Sequence, residues 1–459
     1  MKRFLYSTLL AVVFTFALRG QTGSITNTLG ASGLFTIKDA SNNYFTLSQS
    51  TGQVNILRTL RLENTSSSTV GVIFKGADRF LHNYGTENTF MGINSGNFTM
   101  TGIKNLAFGG YSLNSNTTGN FNLAIGGYSL NSNTTGDGNI ALGYESMYDN
   151  STGLYNIAVG YQALWSNNGD NNTALGTQSL YSNITGYENT SVGNYSSYAN
   201  SNGYRNTALG YRSMYNNNTG YYNTAVGYYS LNDNTAGTRN TGVGYESLRN
   251  TFGSLNTALG FSAGISITSG SNLTCVGNNA QPTVATATNQ ITLGDGFVTL
   301  LRCNVTTISS LSDVRDKKNI TDLSLGLDFI SKLKPRLFHW DRREWYDNNT
   351  SDGSKMKKAP TAGFIAQELD AVQNAEHTEW LNLVLKDNPD KLEATPGNLL
   401  PIMVKAIQEL NIKSHEKAQQ LARLTEENKE LKRSLTEVNE RMVQLDLLVK
   451  SIDAKVASK

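Results

Sequence analysis

A glycine preceded by an apolar residue returns along this chain at a near-constant interval, and that interval limits the possible folds more than any composition does. The glycines are Gly92, Gly109, Gly126, Gly143, Gly160, Gly176, Gly193, Gly210, Gly227, Gly244, Gly260, Gly277 and Gly294. Their spacing is 17 residues, shortened to 16 before Gly176 and Gly260. A fixed period this short predicts a solenoid in which each repeat is one coil stacked on the next.

The residue before each glycine is apolar, from Met91 and Phe108 to Val276 and Leu293. Five positions after it a second apolar residue recurs, as Leu113, Leu130, Met147, Leu164, Leu180, Met214, Leu231 and Leu248. An odd separation cannot place both on one face of a straight strand, whose faces alternate with period two. The chain is expected to bend at the glycine, the residue with the widest conformational range. A second turn is expected at "NNTG" or "SNTTG", where Asn and Gly tolerate left-handed backbone. Each coil then holds two short strands and two turns. Two buried aliphatic side chains are little to hold seventeen ordered residues, so another apolar face must be covered elsewhere. The small residue two before the glycine (Ala107, Ala124, Ala141, Ala158, Ala174, Ala208, Ala225 and Ala258) forms a stripe on the other side of the first strand. That stripe is expected to be a contact between subunits.

The 459 residues allow two to four domains. A net charge of +2, with 16% charged residues, argues against nucleic acid, which calls for a basic stripe. The acidic residues of the repeats (Asp137, Glu145, Asp149, Asp170, Glu188, Asp233, Glu246) do not stack at one repeat position, and 83–338 contains no histidine. A sugar-cleaving site needs paired carboxylates at a fixed separation. Tyr144, Tyr161, Tyr211, Tyr228 and Tyr245 are expected to form aromatic ladders between coils, with stacking on sugars or contact with a protein ligand as alternatives.

"MKRFLYSTLLAVVFTFALRGQTGS" opens the chain with Lys2 and Arg3, an apolar run from Phe4 to Ala17, then small and polar residues. This is the layout of a secretory signal peptide, too short for a membrane span. In an oxidising compartment the two cysteines, Cys275 and Cys303, could form a bridge. The alternative is that Cys275 fills a small-residue position of the repeat. No metal-ligand spacing is present, and no cofactor is expected.

Beyond residue 400 a 3-4 spacing of mostly apolar residues runs Ile407, Leu410, Ser414, Lys417, Leu421, Leu424, Asn428, Leu431, Leu435, Val438, Met442, Leu445, Val449, Ile452, Val456. These heptads predict a coiled coil, with Asn428 fixing register at an a position. At the seam before it, "ISSLSDVRDKKNI" brings a serine next to charged residues. A serine hydroxyl needs a neighbouring base, and with no histidine nearby the candidates are Lys317 and Lys318. A lysine can serve when desolvation lowers its proton affinity.

Two family resemblances bear on these segments. The phrase "NTAVGYYSLNDNTAG" resembles the left-handed parallel β-roll of trimeric autotransporter adhesin (YadA-like) heads, over residues 88–296, and implies a homotrimer. Residues 21–87 resemble the thin β-structured stems of phage and bacterial fibres. "LSDVRDKKNITDLSLGLDFISKLKPRLFHWD", "AGFIAQELDAV" and "LLPIMVKAIQELN" together resemble the intramolecular chaperone domain of phage endosialidases and tail spikes, also classed as a self-cleaving peptidase. That resemblance implies Ser312 as nucleophile, Lys317 as base, Asp313 and Arg315 in support, and Leu311–Ser312 as the scissile bond.

The expected architecture is mainly β. It comprises a signal peptide (1–20), a β-rich stem (21–87), a trimeric parallel β-solenoid (88–300), a linker (301–311), a small α+β chaperone and self-cleaving peptidase domain (312–402), and a coiled coil (403–459). The expected protein is an exported homotrimeric fibre, adhesin-like, secreted or at a bacterial cell surface, with a glycan or protein ligand. It has no transmembrane segment after signal removal. The alternative is a phage-type tail fibre or spike that binds or cleaves glycans.

Overall fold

The computed structural model describes residues 34–38, 43–48, 51, 53–56, 60–298, 300–302 and 312–457. The expected signal peptide, Cys303 and Leu311 lie outside the described residues. Near the start, β1 (Leu34–Lys38), β2 (Asn43–Ser48) and β3 (Val54–Ile56) pair antiparallel. Among the described residues the body is one 15-stranded sheet. Its first two strands, β4 (Ile73–Lys75) and β5 (Asp78–His82), form a hairpin that joins β6 (Thr89–Met91) antiparallel. From there twelve three-residue strands follow in parallel register, β7 (Leu106–Phe108) to β18 (Ile291–Leu293), one per coil. The body is a β-solenoid of about 12 turns with ~17-residue spacing.

Two details of the expected coil are corrected. Only one strand forms per coil. The stretch from the glycine to the second aliphatic residue is a run of turns, with positive φ at Tyr128 (58°) and Leu130 (49°) and at the matching positions of the other coils. Its backbone is still paired coil to coil: Tyr128 N–H donates to the Gly110 carbonyl at 2.8 Å and Leu130 N–H to the Ser146 carbonyl at 3.0 Å. Turns that stack this way satisfy their polar groups without being strands. The bend itself is at the glycine. Gly143 has φ 137°, and a Cβ there would sit 2.3 Å from the Gly160 carbonyl oxygen of the next coil. Only glycine fits.

The second correction concerns inside and outside. The alanine stripe is not on the surface: Ala107, Ala124, Ala158 and Ala208 are 0% exposed, packed with Leu113, Leu130, Met147 and Met214. The residues before the glycines point outward instead, with Phe108 44%, Leu209 46% and Leu259 51% exposed. The coil is too narrow for two large aliphatic groups, so the strand turns its methyl group inward and its larger side chain out.

The rest of the interior is polar. Asn88, Asn105, Asn122, Asn139 and their successors to Asn256 are buried one above another. Each side-chain oxygen accepts from the backbone N–H at the same position of the next coil, as Asn105 Oδ1 does from Asn122 at 2.9 Å and Asn256 Oδ1 from Leu273 at 3.1 Å. A second buried column runs from Asn116 to Asn234, side chain to side chain, as Asn133 Nδ2 to Asn116 Oδ1 at 2.7 Å. Buried amides are costly unless paired, and here nearly every one is. Cys275 sits in the alanine register between Ala258 and Thr292, and burial pushes its thiol up to about 11.

After the solenoid comes a small α/β unit: α1 (Leu327–Lys332), β19 (Arg336–Phe338), β20 (Thr361–Gly363), α2 (Ala366–Ala375), β21 (Val384–Leu385) and β22 (Glu393–Ala394). Its core gathers Phe329, Leu369, Leu381, Leu383, Leu399 and Ile402. The chain ends in α3 (Leu400–Val456), a helix of 57 residues and roughly 85 Å. Its heptad seam is exposed throughout, from Leu410 and Leu421 to Val456. Among the described residues no helix is long and apolar enough to cross a membrane.

Candidate functional site at the seam

A short 3-10 turn, Val314–Asp316, shapes the seam. Asp313 caps it: its carboxylate accepts from the Arg315 backbone N–H at 2.9 Å and takes the Arg315 guanidinium on both oxygens, at 3.0 and 2.6 Å. These bonds hold the Asp313 carboxyl below its ordinary range and raise the Arg315 guanidinium. The turn is closed by Lys317 N–H donating to the Val314 carbonyl at 3.2 Å. It folds the Lys317 side chain back over five residues, so that Nζ donates to the Ser312 hydroxyl oxygen and, at 3.2 Å, to the Ser312 carbonyl. The contact to Ser312 is made by Lys317, which separates it from the other candidate, Lys318. Ser312, Asp313, Arg315 and Lys317 all lie exposed on the surface.

The unit behind the seam is tied together by its own charges. Arg336 on β19 grips the Glu368 carboxylate on α2 with both arms, at 2.9 and 2.5 Å, which lowers the proton affinity of Glu368. Glu409 on α3 accepts from Leu327 N–H at 2.8 Å and so anchors the start of α1 to the long helix. Residues 312–378 match the family model described as the chaperone of endosialidase, Peptidase_S74. This segment is similar to endosialidase-type chaperones. The match begins at Ser312. No curated protein and no solved structure matches the chain.

The small α/β unit also touches the end of its own solenoid. Arg342 Nη1 donates to the Gly296 carbonyl at 2.9 Å, and Asp387 and Asn388, between β21 and β22, reach Thr283 and Gln290 of the last coil. Nothing in the local sequence pattern announces this contact, which joins residues about a hundred positions apart.

The solenoid surface offers no comparable chemistry. Asp137, Glu145, Asp149, Asp170, Glu188 and Asp233 each accept a hydrogen bond from a neighbouring coil, and Glu246 takes Arg249 of its own. The tyrosines stack face to face along the axis, Tyr211 on Tyr228 at 5.4 Å and Tyr228 on Tyr245 at 5.2 Å. A second ladder runs Tyr148, Trp165, Tyr181, Tyr198, Tyr215. Ring faces used on neighbouring rings are not available for sugars, so these ladders hold coils together.

Proposed function

We propose that the chain is a homotrimeric extracellular fibre whose chaperone domain directs assembly and then cuts itself away between Leu311 and Ser312. The observation that carries this reading is the Lys317 amine placed on the Ser312 hydroxyl at the first residue of the chaperone segment. In the reaction, a deprotonated Lys317 takes the hydroxyl proton and Ser312 Oγ attacks the Leu311 carbonyl carbon. The Leu311–Ser312 amide becomes an ester as the Ser312 nitrogen gains a proton. Water then hydrolyses the ester, leaving a Leu311 carboxylate and a free Ser312 amino group. Because the serine attacks its own preceding bond, no substrate pocket is needed. Exposed as it is, the lysine needs desolvation before it can act as a base, which assembly can supply. Asp313 and Arg315 support the step by fixing the turn.

Trimerisation is supported by two apolar stripes that a single chain leaves uncovered, the outward aliphatic row of the solenoid and the heptad seam of α3. Mass spectrometry of the assembled protein is the test. Wild type should separate into chains ending at Leu311 and beginning at Ser312. Ser312→Ala should remain whole, and so should Lys317→Arg, whose guanidinium stays protonated near neutral pH. A fragment beginning at residue 312 from Ser312→Ala would assign the cut to an external protease.

The endosialidase-type match favours a second reading, a phage tail-spike-like fibre. The basic and apolar start of the chain, Lys2 to Ala17, favours export by a cell instead. The mature N-terminus, read in the same mass spectrum, separates them: loss of about 20 residues indicates export through a signal peptide.

A further inference from the structure

The last coil carries a clasp. Gln290 Nε2 donates to Thr283 Oγ1 at 2.7 Å, and Thr283 N–H donates back to Gln290 Oε1 at 3.1 Å. The Gln290 carbonyl in turn accepts from Thr274 N–H of the preceding coil at 2.9 Å. The two side chains meet across seven residues when this part of the coil has closed. Asp387 rests on this clasp, its carboxylate accepting from Gln290 Nε2 at 3.2 Å and from Thr283 Oγ1 at 3.5 Å. Beside it Asn388 Nδ2 donates to the Thr283 carbonyl at 3.4 Å. The donors balance: one amide hydrogen of Gln290 goes to each partner, and the Thr283 hydroxyl accepts one bond and gives one.

We propose that the β21–β22 loop reads closure of the last coil through Asp387 and Asn388, and that this seating admits the cut at Leu311–Ser312. The inference rests on the self-cleavage reading above and adds what controls it. Where the last coil has not closed the clasp is absent, and the Asp387 carboxylate finds water instead of two converging donors. The contact is suited to a reversible check. It is polar and only half-buried, and it borders an open cavity of about 840 Å³ that runs along Ile291–Phe297 to Glu344 and Lys391. A permanent interface would be closely packed and apolar at its centre.

The test follows release of 312–459 from the full-length chain in wild type, in Asp387→Ala/Asn388→Ala, and in Gln290→Ala. Three hydrogen bonds are lost in each variant, so release should slow about tenfold or more. Combining the changes should slow it no further, because they are two sides of one contact. The same changes in an uncleavable Ser312→Ala background report folding, and the loop variant should melt as its parent does. Wild-type rates in the loop variant, or slowing that multiplies when the two sides are combined, would overturn the proposal. A wild-type chain that never cleaves would instead overturn the self-cleavage reading, and the first arm shows that before any variant is compared.

Discussion

Asn234 marks the point where a buried column stops. Its Nδ2 donates to Asn217 Oδ1 at 2.9 Å, but its own Oδ1 has no partner among the described residues, because the next coil carries Thr251 where the column calls for asparagine. That coil is one of the two shortened to 16 residues, and the other one shows the remedy. There Asn167 reaches Asn150 Oδ1 and the Gly169 carbonyl, both at 2.9 Å, from a position two before its glycine, as Thr251 is two before Gly253. Asn172 Nδ2 approaches Asn167 Oδ1 at 3.4 Å, as Asn256 Nδ2 approaches Thr251 Oγ1 at 3.5 Å, so the surroundings already suit an amide. Thr251→Asn should therefore stabilise the solenoid by about 1–3 kcal/mol, the cost of leaving a buried acceptor unmet. Denaturant melts of the uncleavable protein measure it, and a loss of stability would show that the column cannot be extended at a short coil.

At the level of the strand, the inward alanine and outward aliphatic residue lead to opposite outcomes for neighbouring substitutions. Ala208→Leu forces extra methylenes into a filled interior and should cost about 1–3 kcal/mol in coil stability. Leu209→Lys leaves the interior untouched and should instead lower the tendency of chains to associate. Sedimentation and thermal melting of both variants separate the effects, and the reverse pattern would return the alanines to the subunit contact. The period, the glycine bend and the long terminal helix were legible because each leaves a repeated mark in the text. The orientation of the strand was not, since hydrophobicity alone ranks leucine above alanine for burial and says nothing of how narrow the interior is. The asparagine columns were concealed for a related reason: as turn formers they are expected outside. Yet an asparagine four before the glycine, as at Asn105, Asn122 and Asn139, recurs in every coil from Asn88 to Asn256. At the seam the residues alone left Lys317 and Lys318 both open beside the serine, and it is the turn that brings Lys317 onto Ser312. The seat of Asp387 on the last coil was not legible, because no local pattern links segments so far apart.

For the whole fibre, the regularity that makes the solenoid stable also makes its alignment ambiguous. Strands of identical length and nearly identical side chains, such as Thr207–Leu209 and Thr257–Leu259, would cover almost the same surface if three chains slipped by one coil. Nothing along the solenoid penalises the error strongly, although the polar coil with Ser191 and Ser197 in the interior breaks the apolar column once. In the proposed trimer the helix α3 would supply the missing reference, because Asn428 at an a position of the seam favours one register over its neighbours. Chains aligned there can zip from the last coil upward, while unaligned chains expose strand edges during slow long-range pairing. Once formed, the proposed fibre would be held by its unfolding barrier and would no longer need the alignment. The expectation is that mature 21–311, unfolded in denaturant and diluted, fails to recover its original trimer, whereas uncleavable Ser312→Ala 21–459 recovers it. Light scattering and sedimentation of the two refolded samples decide the matter. Full recovery of 21–311 without its C-terminal partner would mean that the coils find their register alone, and that the chaperone serves some step other than alignment.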